Sequence, residues 1–325
     1  MIRTPFTDLI GIEHPVVSAG MGAGIADGEL AGHVSEAGGL GVIGASWLPA
    51  EEVRSLIRRA RELTDKPVGV NLLLFGNEEL VDVVLRERPA VFSTAWARDD
   101  QDLGATFARA HDAGAMVMHM VPTLADAERA ASAGADVIVA QGTEGGGHVG
   151  LMGTAVIVRQ VAKAVAPIPV VAAGGFADGA GLAAALALGA SAILLGTRFL
   201  AADEAPTDQL WRDAVLASDG HDTVVTTIAD TYTGRDWPGA RARIQRTRFV
   251  EEWLGREPEL RRSRADVRER LIRADEAGDA DYAIIWLGQS AGLIDSVMPA
   301  ADIVHSIVEE AEELLGRTLP SLVAR

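Results

Sequence analysis

The stretch DVIVAQGTEGGGHVG, residues 136–150, decides how this chain reads. An apolar run, 137–140, ends in a loop of small residues that carries one acid, Glu144, and one imidazole, His148. Three glycines, 145–147, lie between them. Glycine loses more conformational freedom on folding than any other residue, so the three do nothing for a core. They suit a backbone that bends through positive φ or lies against a flat ligand. Two chemically active side chains therefore share a strand-end loop built for close approach.

Two similar loops follow. PVVAAGGFAD (169–178) is an apolar run ending in Gly174 and Gly175, and AILLGTRFL (192–200) ends its run at Gly196 and Thr197. The alanine- and leucine-rich segment 179–188 between them reads as a helix. Strand, glycine loop, helix, strand, glycine loop is how a barrel of alternating strands and helices builds a phosphate site after its seventh and eighth strands. Backbone N–H groups there point at the anion.

Working outward, strands are expected at 15–21, 40–45, 68–75, 90–96, 116–121 and 137–141. Helices are expected at 27–37, 49–63, 78–88, 102–113, 124–133 and 155–166. Strict alternation favours an α/β fold with a parallel sheet. Eight units favour a closed TIM (β/α)8 barrel over an open doubly wound sheet. Ala-Gly and Leu-Gly junctions at 37–39, 113–115, 133–135 and 188–190 fit glycine caps that end each helix before its strand.

The pattern breaks after about residue 218. TVVTTIADTYT (223–233) is rich in β-branched residues, and between Arg235 and Arg273 there are 12 Arg against 7 Asp plus Glu, a local charge of 12 − 7 = +5. Such a piece reads either as an exposed, mainly helical insert with a solvated charged face or as a lid that presents arginine to an anionic substrate or cofactor tail. The run 282–294 returns to apolar residues around a small-residue loop, 288–292, and an amphipathic helix follows at 301–315. The expected organisation is a barrel over 1–217, an insert or lid over 218–284, and a return segment with a terminal helix over 285–325.

Bulk properties narrow the function. A length of 325 residues holds one barrel of about 250 residues plus an appended piece. The 48% hydrophobic content comes from short runs, none near the roughly 18–20 apolar residues of a membrane span. The N-terminus lacks the apolar stretch of a secretory signal. Zero cysteines exclude disulfides, thiolate nucleophiles and zinc–sulfur sites. A net charge of −17 argues against nucleic-acid binding. The expectation is a soluble cytoplasmic enzyme with neither a nucleic-acid nor a membrane partner. No HExxH or paired acid–histidine spacing suggests a metal, and no GxxxxGK[ST] loop occurs. Gly20, Gly22 and Gly24 fall in a GxGxG spacing that fits a dinucleotide fingerprint poorly.

His148 alone could be a satisfied loop histidine, but its place on a strand-end glycine loop favours chemistry. An imidazole, with an ordinary pKa of about 6.5, suits proton transfer near neutrality. Glu144 either takes part or only braces the loop. His119, in MVMHMVP, sits on an apolar strand and reads as core or barrel lining, with a cofactor-facing orientation as the lesser reading.

Taken together, PVVSAGMGAGIADGELAGHVSEAGGLGVIGAS (15–46), GVNLLLF (69–75), VAQGTEGGGHVG (139–150), VVAAGGFADG (170–179), ILLGTRFLAADE (193–204) and LGQSAGL (287–293) resemble the nitronate monooxygenase (2-nitropropane dioxygenase) family. That family consists of FMN-dependent TIM-barrel flavoenzymes, similar to FMN-dependent enoyl-ACP reductases. The resemblance implies that Ala19, Gly20, Met21 and Gly22 line the flavin ring and that Asn71 hydrogen-bonds the flavin or its ribityl chain. It places Gln141 beneath the ring, with Gly146 and Gly147 also on the cofactor. Gly174, Gly175, Gly196 and Thr197 would bind the FMN phosphate. His148 matches the active-site histidine, while Glu144, Gln289 and Ser290 fall at the substrate or lid. Gly145 stands where the family commonly has alanine. The loop SAGMGAGIADG lacks the Ala-Pro-Met of many nitronate oxidisers and lies nearer the reductase branch.

Three functions follow. The first is oxidation of alkyl nitronates with O2. The second is an NADH- or NADPH-dependent FMN reductase or dehydrogenase acting on an enoyl or other acyl thioester, or on a quinone. The third is a non-redox phosphate-binding barrel. A homodimer is a further expectation.

Overall fold

In the computed structural model, which describes residues 1–22 and 24–323, alternating apolar runs become parallel strands around one axis. The strands are β1 (Val16–Ser18), β2 (Gly41–Gly44), β3 (Val68–Leu73), β4 (Val91–Ala95), β5 (Met116–Val121), β6 (Val137–Gln141), β7 (Gly147–Val149), β8 (Val170–Ala173), β9 (Ala192–Leu195), β10 (Thr223–Thr226) and β11 (Arg241–Gln245). Eight of them form one parallel sheet in the order β1-β9-β8-β6-β5-β4-β3-β2. A parallel bridge between Val17 and Leu40 draws β2 back to β1. Two backbone bonds hold it: Leu40 N–H to the Val16 carbonyl at 2.9 Å, and Ser18 N–H to the Leu40 carbonyl at 3.0 Å. The fold is the expected TIM-type barrel.

Strand alternation sorts side chains into two cores. Val17, Val42, Val91, Met118, Val139 and Val171 fill the barrel interior, and Phe6 of the helix Pro5–Ile10 packs among them. The alternate residues, such as Val117 and Val121, face the surrounding helices. Helix starts are set by side-chain caps. Asp27, Asp102, Thr123 and Asp178 each accept from the N–H three residues on, a device worth about 1 kcal/mol. Helix ends are set by Gly38, Gly114, Gly134 and Gly189, all at positive φ, as the junction pattern anticipated.

The insert carries helices Ile228–Thr233, Arg248–Trp253, Glu257–Arg262 and Arg264–Glu276. It also carries something its residue pattern did not announce. Strands β10 and β11 pair antiparallel with each other, and β11 pairs antiparallel with β7, which is part of the barrel's own glycine loop. The insert is thereby fastened to the loop that bears His148. The terminal helix Ala300–Glu313 lies against the helix Gly179–Leu188, with Gly179 N–H donating to Glu310 at 2.7 Å. Among the described residues no helix is long and apolar enough to cross a membrane.

Candidate active site

The strands all end on one face of the barrel, and the loops leaving that face carry most of the residues singled out by sequence. Asn71, near the end of β3, ties two strands together. Its Nδ2 donates to the Gly20 carbonyl at 3.3 Å and its Oδ1 accepts from Ser93 Oγ at 3.0 Å. A side chain at Gly20 would run into Asn71, so the first-strand loop and Asn71 fit only as a pair. Gln141 closes β6. Its Oε1 is buried without a hydrogen-bond partner, an acceptor awaiting a donor.

Beyond Gln141 the loop is braced from three sides. The Glu144 carboxylate accepts from Thr154 N–H at 2.9 Å and Thr154 Oγ1 at 2.6 Å, which satisfies the start of the helix Thr154–Ala164. That hydroxyl also lies 2.9 Å from the Gly174 carbonyl, so the loops after β6 and β8 are knotted through Thr154. Bracing is the role the contacts give Glu144. Arg243 of β11 is buried and donates to the Thr143 carbonyl at 2.8 Å and to Thr223 Oγ1 at 2.9 Å. The return segment supplies the third side. Gln289 N–H donates to the Glu144 carbonyl and Gly288 N–H to Thr197 Oγ1, both at 2.9 Å. Within that segment Ser290 is buried, whereas the Gln289 side chain is exposed. Gly146 is required by contact: a Cβ there would stand 2.5 Å from Gly288 N and 2.6 Å from the Leu287 carbonyl carbon.

His148 sits on β7 opposite Ala242 of β11. The glycines before it do not leave it on a free loop, because the insert strand takes up the backbone hydrogen bonds. Its Nε2 lies 2.7 Å from Asp230 Oδ1, with side-chain exposures of 9% and 11%. Trp237 stacks on the imidazole with ring centroids 3.2 Å apart and planes 11° apart, and Trp286 leans on it at 5.0 Å. Trp237 also meets Trp47, Phe75 and Trp96 edge-on, which fills the mouth with aromatic surface. Burial pulls the His148 pKa below its ordinary value. The hydrogen bond and charge of Asp230 oppose this, and Arg235 adds to it. The net direction favours the neutral imidazole.

The profile of the nitronate monooxygenase family matches this chain over residues 3–82 and 75–310. The chain belongs to the nitronate monooxygenase family. A nitronate monooxygenase of Pseudomonas aeruginosa is 34% identical over 94% of this chain and 98% of its own length. A Mycobacterium tuberculosis protein named (3aS,4S,5R,7aS)-5-hydroxy-7a-methyl-1-oxo-octahydro-1H-indene-4-carboxyl-CoA dehydrogenase is 39% identical over 77% of this chain and 68% of its own. Among solved structures, FabK from Thermotoga maritima superposes with a TM-score of 0.87 at 35% identity, covering 99% of this chain and all of that one. This nitronate monooxygenase family member is accordingly an oxidoreductase of flavin type.

The residues at the mouth fit such a group. Gln141 Oε1 lacks a donor, and Gly174 and Gly175 hold φ of +91° and +85° at the end of β8. Gly196 leaves ordinary space around its α-carbon, with Met21 Sδ the nearest atom to a Cβ there at 3.6 Å. Among the described residues no cluster of His, Asp and Glu could hold a metal ion. His119 lies elsewhere. Its Nδ1 is 2.7 Å from Thr94 Oγ1 and its ring 5.5 Å from Phe107, between strand and helix layers rather than at the mouth. Asp230, Trp237, Trp286 and Arg243 are the site residues that sequence reading missed. Asp230 and Trp237 lie more than 80 positions from His148, and no local pattern marked them.

Proposed function

We propose that this protein is an FMN-dependent oxidoreductase whose reacting centre lies at the C-terminal mouth of the barrel, with His148 as its acid–base group. The observation that carries the reading is the buried pair at 2.7 Å between His148, on the glycine loop that leaves β6, and Asp230, on the insert helix Ile228–Thr233. Ala19, Gly20, Met21, Gly22 and Asn71 would line the ring, with Gly146 and Gly147 against it. Gln141 would accept from a ring N–H. Gly174, Gly175, Gly196 and Thr197 would hold the phosphate. The flavin, when bound, supplies the electron-accepting and electron-donating chemistry. His148 supplies the proton chemistry: a neutral imidazole removes the α-proton of a neutral nitroalkane or hydrogen-bonds its nitro oxygens. Asp230 holds the ring in one tautomer, and the stacked Trp237, with Trp286 tilted against the ring, keeps water from it.

The first substrate reading is an alkyl nitronate oxidised with O2, which the family profile and the Pseudomonas relative support. A second reading is an NADH- or NADPH-dependent reductase or dehydrogenase acting on an acyl thioester or quinone. It is favoured by the 39% identity to a protein named for a carboxyl-CoA substrate. Anaerobic mixing of the flavin-loaded protein with a nitronate in one arm and NADH or NADPH in the other, with flavin reduction followed by visible absorbance, separates them. His148→Ala is expected to keep the flavin and lose about two orders of magnitude in turnover of a neutral nitroalkane, with a smaller loss on the ionised nitronate. Wild-type rates on every substrate in that variant would remove His148 from the mechanism.

A further inference from the structure

We propose that a cavity in the insert, beside the His148–Trp237 stack, is a subsite for the phosphate-bearing nucleotide arm of a substrate or electron donor. This inference rests on the reacting centre proposed above, since the arm's position matters only if chemistry occurs at His148. The cavity has a volume of about 370 Å³ and is lined by Arg235, Arg261 and Arg264. Three arginines lining one space, in a chain of net charge −17, stand out from the general field. Among the described residues none of the three guanidinium groups has a carboxylate within 4.0 Å, whereas Arg246, Arg256, Arg270 and Arg273 of the same insert are each paired with a glutamate.

The remaining lining fits the same ligand chemistry. Thr227 and Thr231 add hydroxyl donors. Asp230 and Asp236 also border the space, but the Asp230 carboxylate is engaged by His148. Planar guanidinium forks match phosphate oxygens in pairs, which a simple ammonium does not. The volume exceeds what a small nitronate needs and falls within the range of small-molecule sites, about 300–1,000 Å³. Two residues connect the cavity to the mouth. Trp237 lines it and stacks on His148, and the Arg235 guanidinium lies 3.9 Å over the Trp47 ring. A ligand anchored there by its phosphates would carry its other end toward His148. Two sources share this chemistry: the nucleotide end of an acyl-CoA thioester, and NADH or NADPH.

The test is calorimetric titration of the flavin-loaded wild-type protein with coenzyme A, pantetheine, NADPH and nicotinamide riboside. At least one phosphorylated probe is expected to bind about tenfold or more tightly than its phosphate-free counterpart, and to weaken as salt rises. Coenzyme A over pantetheine assigns the thioester, and NADPH over the riboside assigns the donor. Arg261→Ala with Arg264→Ala should remove that advantage, and Arg262→Ala with Arg268→Ala, outside the cavity lining, should keep it. Equal affinity of phosphorylated and phosphate-free probes in the wild-type protein overturns the proposal without any variant. So does unchanged affinity in the folded Arg261/Arg264 variant. Binding needs no turnover, so a protein that binds the phosphorylated probe yet has no redox activity defeats the functional reading alone. A redox-active protein that prefers no phosphorylated probe defeats the subsite alone.

Discussion

His148 is pulled two ways. Burial disfavours its charged form, and Asp230 favours it, with burial the larger effect. The balance favours the neutral imidazole, which is the form the proposed proton abstraction would use, held by a carboxylate from a segment 82 residues away. Asp230 is a positioning residue here, and its effect is separable from a purely structural one. Asp230→Asn removes the negative charge while keeping a hydrogen-bonding group at the same place. The His148 pKa should then fall further, so the acidic limb of kcat/KM against pH should move to lower pH. Turnover should drop by about tenfold or more as the tautomer is no longer fixed, while flavin content stays the same. An acidic limb at its wild-type position in that variant would show that Asp230 does not govern the imidazole.

The glycine loops after β6 and β8 act as one element, because Thr154 bonds both the Glu144 carboxylate and the Gly174 carbonyl. Gly175 has φ +85°, and a Cβ there would lie 3.2 Å from the Glu144 Cβ. Gly175→Val therefore strains its own backbone, by roughly 1–2 kcal/mol for the left-handed conformation, and presses on Glu144, which braces the start of the helix Thr154–Ala164. The melting temperature should fall by several degrees with the barrel still folded, and flavin retention, read from visible absorbance, should be lost. Full flavin with normal affinity would put the phosphate elsewhere. Much of this element was legible in sequence. Strand β6 and the helix Gly179–Leu188 fall on the expected residues, since apolar runs, Asp178 as a cap and Gly189 at positive φ are local signals. The sheet joining β7 to β10 and β11 was not. GGHV offers no strand periodicity, and β7 exists only because β11 supplies its hydrogen bonds from nearly a hundred residues away. Asp230 and Trp237 were hidden for the same reason: their partners are set by that pairing and not by neighbours in the chain.

At the scale of the molecule, one barrel carries both the histidine proposed to react and a structural one, and their surroundings separate them. His119 faces outward from β5 against Phe107 and Thr94, fully enclosed, and burial pushes its pKa down to about 3, with Arg129 contributing. The unfolded chain, with an ordinary value of about 6.5, binds a proton that the folded chain refuses. Stability from this source is therefore complete above about pH 6.5 and declines as pH falls toward 3. His14 and His148, both lowered chiefly by burial, act in the same direction. Between pH 7 and pH 5 the His119 contribution comes to about 2 kcal/mol. His119→Gln keeps a polar partner for Thr94 but cannot titrate. Its unfolding free energy, measured with urea at both pH values, should fall by about 2 kcal/mol less than that of the wild-type protein over the same interval. An identical loss in the two proteins would mean that His119 already titrates normally in the folded barrel, and that the acid sensitivity of the fold arises elsewhere.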